Sequence, residues 1–106
     1  MSEPTFQRVA TATEVPEGRM IEVKLGERSL VICHTREGWY ALDNICTHAF
    51  ARMTEGRLRG HRLICPLHGA SFDCRTGAVL APPASEPLRR YAVRLNGSDI
   101  EVALQP

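Results

Sequence analysis

Cysteine and histidine occur together twice in this chain, as Cys46-Thr47-His48 and as Cys65-Pro66-Leu67-His68, with sixteen residues between His48 and Cys65. Each arm offers one thiolate and one imidazole, donor types that suit transition metals. A zinc finger usually draws both cysteines from one arm and both histidines from the other. Here each arm carries one of each. That set suits a two-iron, two-sulfide cluster with unlike irons, one held by two thiolates and the other by two imidazoles. A zinc-binding structural module could use the same four donors and stands as the alternative at this point.

The residues around the two arms resemble the Rieske family. In that family Cys-x-His and Cys-x-x-His sit at the tips of two loops that clamp a [2Fe-2S] cluster. The likeness continues through Leu67-His68-Gly69-Ala70-Ser71-Phe72-Asp73, Thr76-Gly77, Pro83, Pro87-Leu88 and Tyr91-Ala92-Val93, with Glu55-Gly56 after the first arm. It covers about residues 6–104. It implies one Rieske cluster per chain, with Cys46, His48, Cys65 and His68 as its ligands. The implied fold is all-β, an antiparallel β-sandwich base with a small cluster-binding subdomain inserted. The chain would be one Rieske domain over 1–106, with the base about 5–43 and 80–104 and the subdomain about 44–79. Residues 80–84 resemble the family's third, proline-bearing loop.

High-potential members of the family tie the two loops with a disulfide and direct a serine and a tyrosine hydroxyl at the cluster sulfurs. The matching positions here are Ala51 and Leu67 for the disulfide, and Ala70 and Phe72 for the hydroxyls. Their absence points to a low-potential carrier similar to the ferredoxin component of bacterial ring-hydroxylating dioxygenase systems. The resemblance then implies two redox partners, a flavoprotein ferredoxin reductase fed by a nicotinamide nucleotide and a terminal Rieske oxygenase of aromatic degradation. The carrier is expected to be a monomer, cytoplasmic, and not itself an enzyme. The small subunit of an assimilatory nitrite reductase shares the fold and is a second reading, and a redox-sensing domain is a third. Ala49-Phe50 departs from the pattern, since such ferredoxins often place glycine after the first histidine.

The elements that must position these residues read as strands. Ile21, Val23 and Leu25 alternate with Glu22 and Lys24, while Tyr91, Val93 and Leu95 and then Ile100, Val102 and Leu104 repeat the pattern. Period-two alternation means half-buried antiparallel strands. Residues 30–34 and 39–42 read as a hairpin around residues 35–38, and Asn96-Gly97 marks a tight turn. Residues 12–15 suit one short helical turn. Between Asn44 and Val79 the alternation gives way to glycines, prolines and the candidate ligands.

Composition narrows the partners. At 106 residues with a formal charge of +1, the chain is one domain with no basic run, which argues against nucleic acid. No apolar stretch approaches membrane-spanning length, so no membrane role is expected. Of the four cysteines, Cys33 reads as a small buried hydrophobe in a strand. Cys74, in a turn after Phe72-Asp73, reads as a free thiol near the cluster without a ligand role. His34 and His61 read as solvated.

Overall fold

The computed structural model describes residues 5–47, 50–67 and 69–103. Two antiparallel sheets make up the protein. The larger holds six strands: β1 (Phe6–Thr11), β2 (Met20–Leu25), β3 (Arg28–Thr35), β4 (Gly38–Asp43), β9 (Arg90–Asn96) and β10 (Asp99–Ala103), in the order β1-β10-β9-β4-β3-β2. The smaller holds four short ones, β5 (Arg57–Arg59), β6 (Arg62–Ile64), β7 (Ser71–Asp73) and β8 (Val79–Ala81), in chain order. Single 3₁₀ turns at Ala12–Glu14 and Met53–Glu55 complete the regular structure. The fold is therefore all-β, a sandwich base carrying a small inserted sheet, as the alternation and the family resemblance led us to expect.

The large sheet curls until its edge strands β1 and β2 approach. Ala10, Val23, Leu25, Leu30, Ile32, Ala41, Tyr91, Ile100 and Val102, drawn from all six strands, pack into one interior. The alternation read along β2 and β10 is the inward half of that packing. Leu95 departs from it, with 44% of its surface exposed near the end of β9.

β3 is different. Leu30, Val31, Ile32 and Cys33 are all fully buried, because each face of the strand has a core to fill. Leu30 and Ile32 join the interior of the base, while Val31 and Cys33 join a second core that holds Leu42, Met53, Leu63, Phe72, Cys46, Cys65 and Cys74. β3 and β4 thus form the wall between the base and the small sheet, and an unbroken apolar run is what a strand buried on both faces requires.

The small sheet escapes a reading by periodicity because its strands are three residues long. Two glycines fit it to its surroundings. A Cβ on Gly56 would lie 1.8 Å from the Ile64 carbonyl oxygen, and one on Gly77, whose φ is +85°, would lie 2.1 Å from that of Leu88. Glycine is thus required where the first loop's return crosses β6, and again where the β7–β8 turn meets the segment leading into β9.

Candidate metal centre

Both cysteine-bearing segments close in the same way. The Cys46 N–H bonds to the Ala51 carbonyl at 2.9 Å, and the Cys65 N–H bonds to the Ala70 carbonyl at 2.7 Å. Each cysteine therefore starts a pinched loop whose chain returns five residues later. The first loop leaves the wall after β4 and is braced by an Ile45–Arg52 bridge; the second joins β6 to β7. Two unrelated stretches of chain are thereby set side by side with their cysteines at the base.

The structure brings Cys46 and Cys65 together. Both are nearly sealed, at 4% and 2% exposure. Burial pushes the Cys65 thiol up, and a shared hydrogen bond with the Cys46 side chain adds to the rise. The Leu67 N–H, 3.5 Å from Cys65 Sγ, acts in the opposite sense by favouring the thiolate. Two converging sulfurs in an apolar core, one already facing a backbone donor, fit the thiolate half of a [2Fe-2S] site. His48 and His68, with Ala49 beside the first, lie outside the described residues, as does Leu104.

Around the two loops the described tip is apolar and open. Phe50 is 100% exposed and Leu67 46%, and Pro66 and Pro83 are exposed as well. Ala51, Ala70 and Phe72 are buried, and none of the three side chains carries a hydroxyl or a thiol. None of the four cysteines, all among the described residues, is in a disulfide.

Sequence reading missed the residues that brace the first loop. Asn44 is fully buried at the end of β4; its Oδ1 accepts the Thr54 N–H at 3.0 Å and its Nδ2 donates to Ser29 Oγ at 3.0 Å. Its backbone bonds to Ser29 and Met53 as well. Thr47 Oγ1 donates to the Glu86 carbonyl at 2.8 Å, tying the tip to the segment after the proline pair. An asparagine directly before a loop was the available signal, since its side chain readily substitutes for backbone partners.

The spare residues also need revision. His34 is half-buried, its Nδ1 2.8 Å from the Val15 carbonyl and its ring stacked on Trp39 at 3.7 Å. His61 lies in the β5–β6 turn, and its Nε2 sits 3.2 Å from Glu37 Oε1. Neither is merely solvated, because each bridges elements distant in sequence. Cys33 is buried in its strand as expected. Cys74 is equally buried, in the same core as Cys33.

Comparison with known proteins places these features in a family. The Rieske [2Fe-2S] domain matches residues 5–92. The ferredoxin component of the naphthalene 1,2-dioxygenase system of Pseudomonas aeruginosa is 36% identical over 104 residues, covering 98% of this chain and 99% of that one. The ferredoxin of carbazole 1,9a-dioxygenase from Nocardioides aromaticivorans superposes with a TM-score of 0.88 at 34% identity, covering 96% of this chain and 98% of the other. A ferredoxin solved in complex with the oxygenase of carbazole 1,9a-dioxygenase superposes with a TM-score of 0.89 at 28% identity over 97% of this chain and 96% of that one.

Proposed function

This chain belongs to the Rieske [2Fe-2S] domain family, and on that premise we propose that it is the ferredoxin component of a ring-hydroxylating dioxygenase system. It is an electron carrier, not a catalyst of organic chemistry. The observation that carries this reading is the approach of Cys46 and Cys65 from the bases of two matched loops, in a chain similar over nearly its whole length to such ferredoxins.

A [2Fe-2S] cluster, when bound, supplies a one-electron couple. We assign Cys46 and Cys65 to one iron and His48 and His68 to the other. Anionic thiolates would favour the oxidised state, and neutral imidazoles would ease uptake of the electron. Cys46 and Cys65 would hold their share of the cluster from buried positions, and the Leu67 N–H would steady negative charge on the Cys65 sulfur. Phe50, Pro66, Leu67 and Pro83 offer a small apolar contact that can exclude water without holding a partner for long.

The partners follow the same reading: a nicotinamide-dependent flavoprotein reductase as donor and a terminal oxygenase as acceptor, each docking at the loop tips. Supporting the second is the relative solved with its oxygenase. We place the potential in the low part of the Rieske range on the residues Ala51, Leu67, Ala70 and Phe72. We further read the chain as a single monomeric domain, with residues about 44–79 as the cluster-binding part. Cysteines outside any disulfide suit the reducing cytoplasm, and no helix among the described residues is long and apolar enough to cross a membrane.

The test is reconstitution. With a flavoprotein reductase, NADH and a ring-hydroxylating oxygenase, product formation should depend on added holoprotein. Reduction by the reductase without onward transfer to any such oxygenase, together with transfer to an assimilatory nitrite reductase, would move the chain to the second reading. A colourless, zinc-loaded protein would remove both.

A further inference from the structure

A groove runs alongside the cysteine loops without taking part in either. Arg19, Met20, Thr54, Gly56, Arg57 and Arg59 line a cavity of about 490 Å³ between the start of β2 and strand β5. One wall is continuous with both loops. Thr54, whose N–H bonds to Asn44 Oδ1 at 3.0 Å, and Gly56 belong to the first loop's return, and a Cβ on Gly56 would lie 3.1 Å from the Pro66 nitrogen of the second.

The charge of this groove is one-sided. Period two puts Arg57 and Arg59 on one face of β5, opposite Leu58, which packs against the core. Arg19 lines the same cavity from the β2 side. All three arginines are exposed, and among the described residues none of them makes an ion pair or a side-chain hydrogen bond. The carboxylates of Glu22 and Glu55 are both taken by Arg52, at 3.5 and 3.8 Å. Glu17, in the turn before Arg19, does not line the cavity. Three guanidinium forks are thus left for carboxylates from outside the chain, which they match two bonds at a time.

The backbone adds a second set of contacts. β5 is the outermost strand of the small sheet. Arg59 and Arg62 flank the two-residue turn Gly60-His61 and form its hydrogen-bonded pair, so the Leu58 N–H and C=O point away from β6, to the side where β5 has no strand neighbour. An extended segment laid there would find main-chain partners between two arginines.

We propose that this groove is a docking cradle for an extended, acidic segment of a redox partner, which lies along β5 and pairs its carboxylates with Arg19, Arg57 and Arg59 while the loop tips are engaged. The inference rests on the carrier role proposed above. The apolar tip supplies close contact for electron transfer, and the arginines steer the encounter and fix its orientation. Exposed charges attract from a distance but are screened by salt, so they speed association without making the complex long-lived.

Fluorescence anisotropy of a labelled polyglutamate peptide with the iron-loaded protein tests the groove directly. The peptide should bind at low salt and lose about tenfold in affinity in Arg57→Glu with Arg59→Glu. Arg19→Glu, on the opposite wall, should weaken it several-fold. Arg36→Glu with Arg90→Glu changes the net charge as much as the first variant, at exposed arginines outside the groove, and should bind nearly as the unaltered chain does. In stopped flow with reductase and oxygenase, the half-reaction with the partner that carries the segment should slow about tenfold in the first variant at low salt, and the gap should close as salt rises. Visible spectrum and iron content report that each variant is folded and loaded. The proposal is overturned if groove and control variants weaken the peptide alike, if neither half-reaction changes, or if inorganic phosphate or phosphatidylserine vesicles bind through these arginines and the peptide does not. An unaltered protein that passes electrons to neither partner would strike the carrier reading instead, and peptide binding would still decide the groove.

Discussion

Two pairs of cysteines share one core in this protein, and their backbones assign them different chemistry. Cys46 and Cys65 each begin a pinched loop with a histidine two or three residues on, and the Leu67 N–H turns back toward the Cys65 sulfur. Cys33 lies in mid-strand, where the ladder occupies the backbone on both sides, and Cys74 spends its own N–H on His61. Cysteines that open a pinched loop with a histidine two or three residues on are equipped as ligands. Cysteines held in or just after a strand pack as small apolar groups. Burial alone does not separate the pairs, since all four are nearly or fully sealed.

Substitution should break this contrast most sharply. Cys46→Ser or Cys65→Ser is expected to remove most bound iron and the visible spectrum, since a hard oxygen donor replaces a soft one. Cys33→Ser and Cys74→Ser should keep both. An iron-replete Cys46→Ser protein with a native spectrum would cancel the ligand assignment.

Next in size is the brace beneath the first loop. Asn44→Ala leaves the Thr54 N–H without its acceptor and removes the donor to Ser29 Oγ, which keeps its own bond to Glu22, at a cost of about 1–3 kcal/mol in urea unfolding of the holoprotein. A loss well under half of that would show that water replaces the amide freely. At the tip, Leu67→Glu should slow reduction by the reductase and delivery to the oxygenase by about tenfold each, about 1.4 kcal/mol, with spectrum and potential preserved. Stopped-flow rates unchanged in both directions would place docking elsewhere.

Two finer measurements sharpen the comparison. Ala70→Ser with Phe72→Tyr offers hydroxyls toward the ligand loops and should raise the potential from the low end of the family's range, about −150 mV, measured by film voltammetry. A clearly positive starting value would discard the low-potential class. Near the other pair, the Arg75 guanidinium hydrogen-bonded to Asp73 holds that carboxyl below its ordinary range. Its folded pKa is depressed, so the stabilisation is present above the unfolded value of about 4 and fades as pH falls through the folded one. Asp73→Asn should flatten the acid limb of the stability profile below about pH 4 and leave neutral pH little changed in slope.

Much of the site was legible because metal ligation is a local signature. A cysteine and a histidine two or three positions apart, repeated once, need no tertiary information to be noticed. β2, β9 and β10 were legible through alternation and the β3–β4 hairpin through its turn, and Gly97, with φ +64°, turns where Asn96-Gly97 foretold. Unread were β1 and the small sheet, whose three-residue strands are too short to show a period. His34 and His61 were misread because Val15, Trp39 and Glu37 reach them only after folding.

By itself, then, the sequence determined the donor set, the strand periodicity of the base and the absence of hydroxyls at Ala70 and Phe72, all properties of neighbouring residues or of single positions. Only the tertiary structure decided that Cys46 meets Cys65 in a core shared with Cys33 and Cys74, and that β3 serves two cores at once. Phe50 and Leu67 could equally have filled space beneath the loops; the fold leaves them in solvent. Such pairings depend on which surfaces of two separate sheets face each other. Spacing along a chain carries no record of that, because long-range contacts are set by the packing of whole elements rather than by the residues between them.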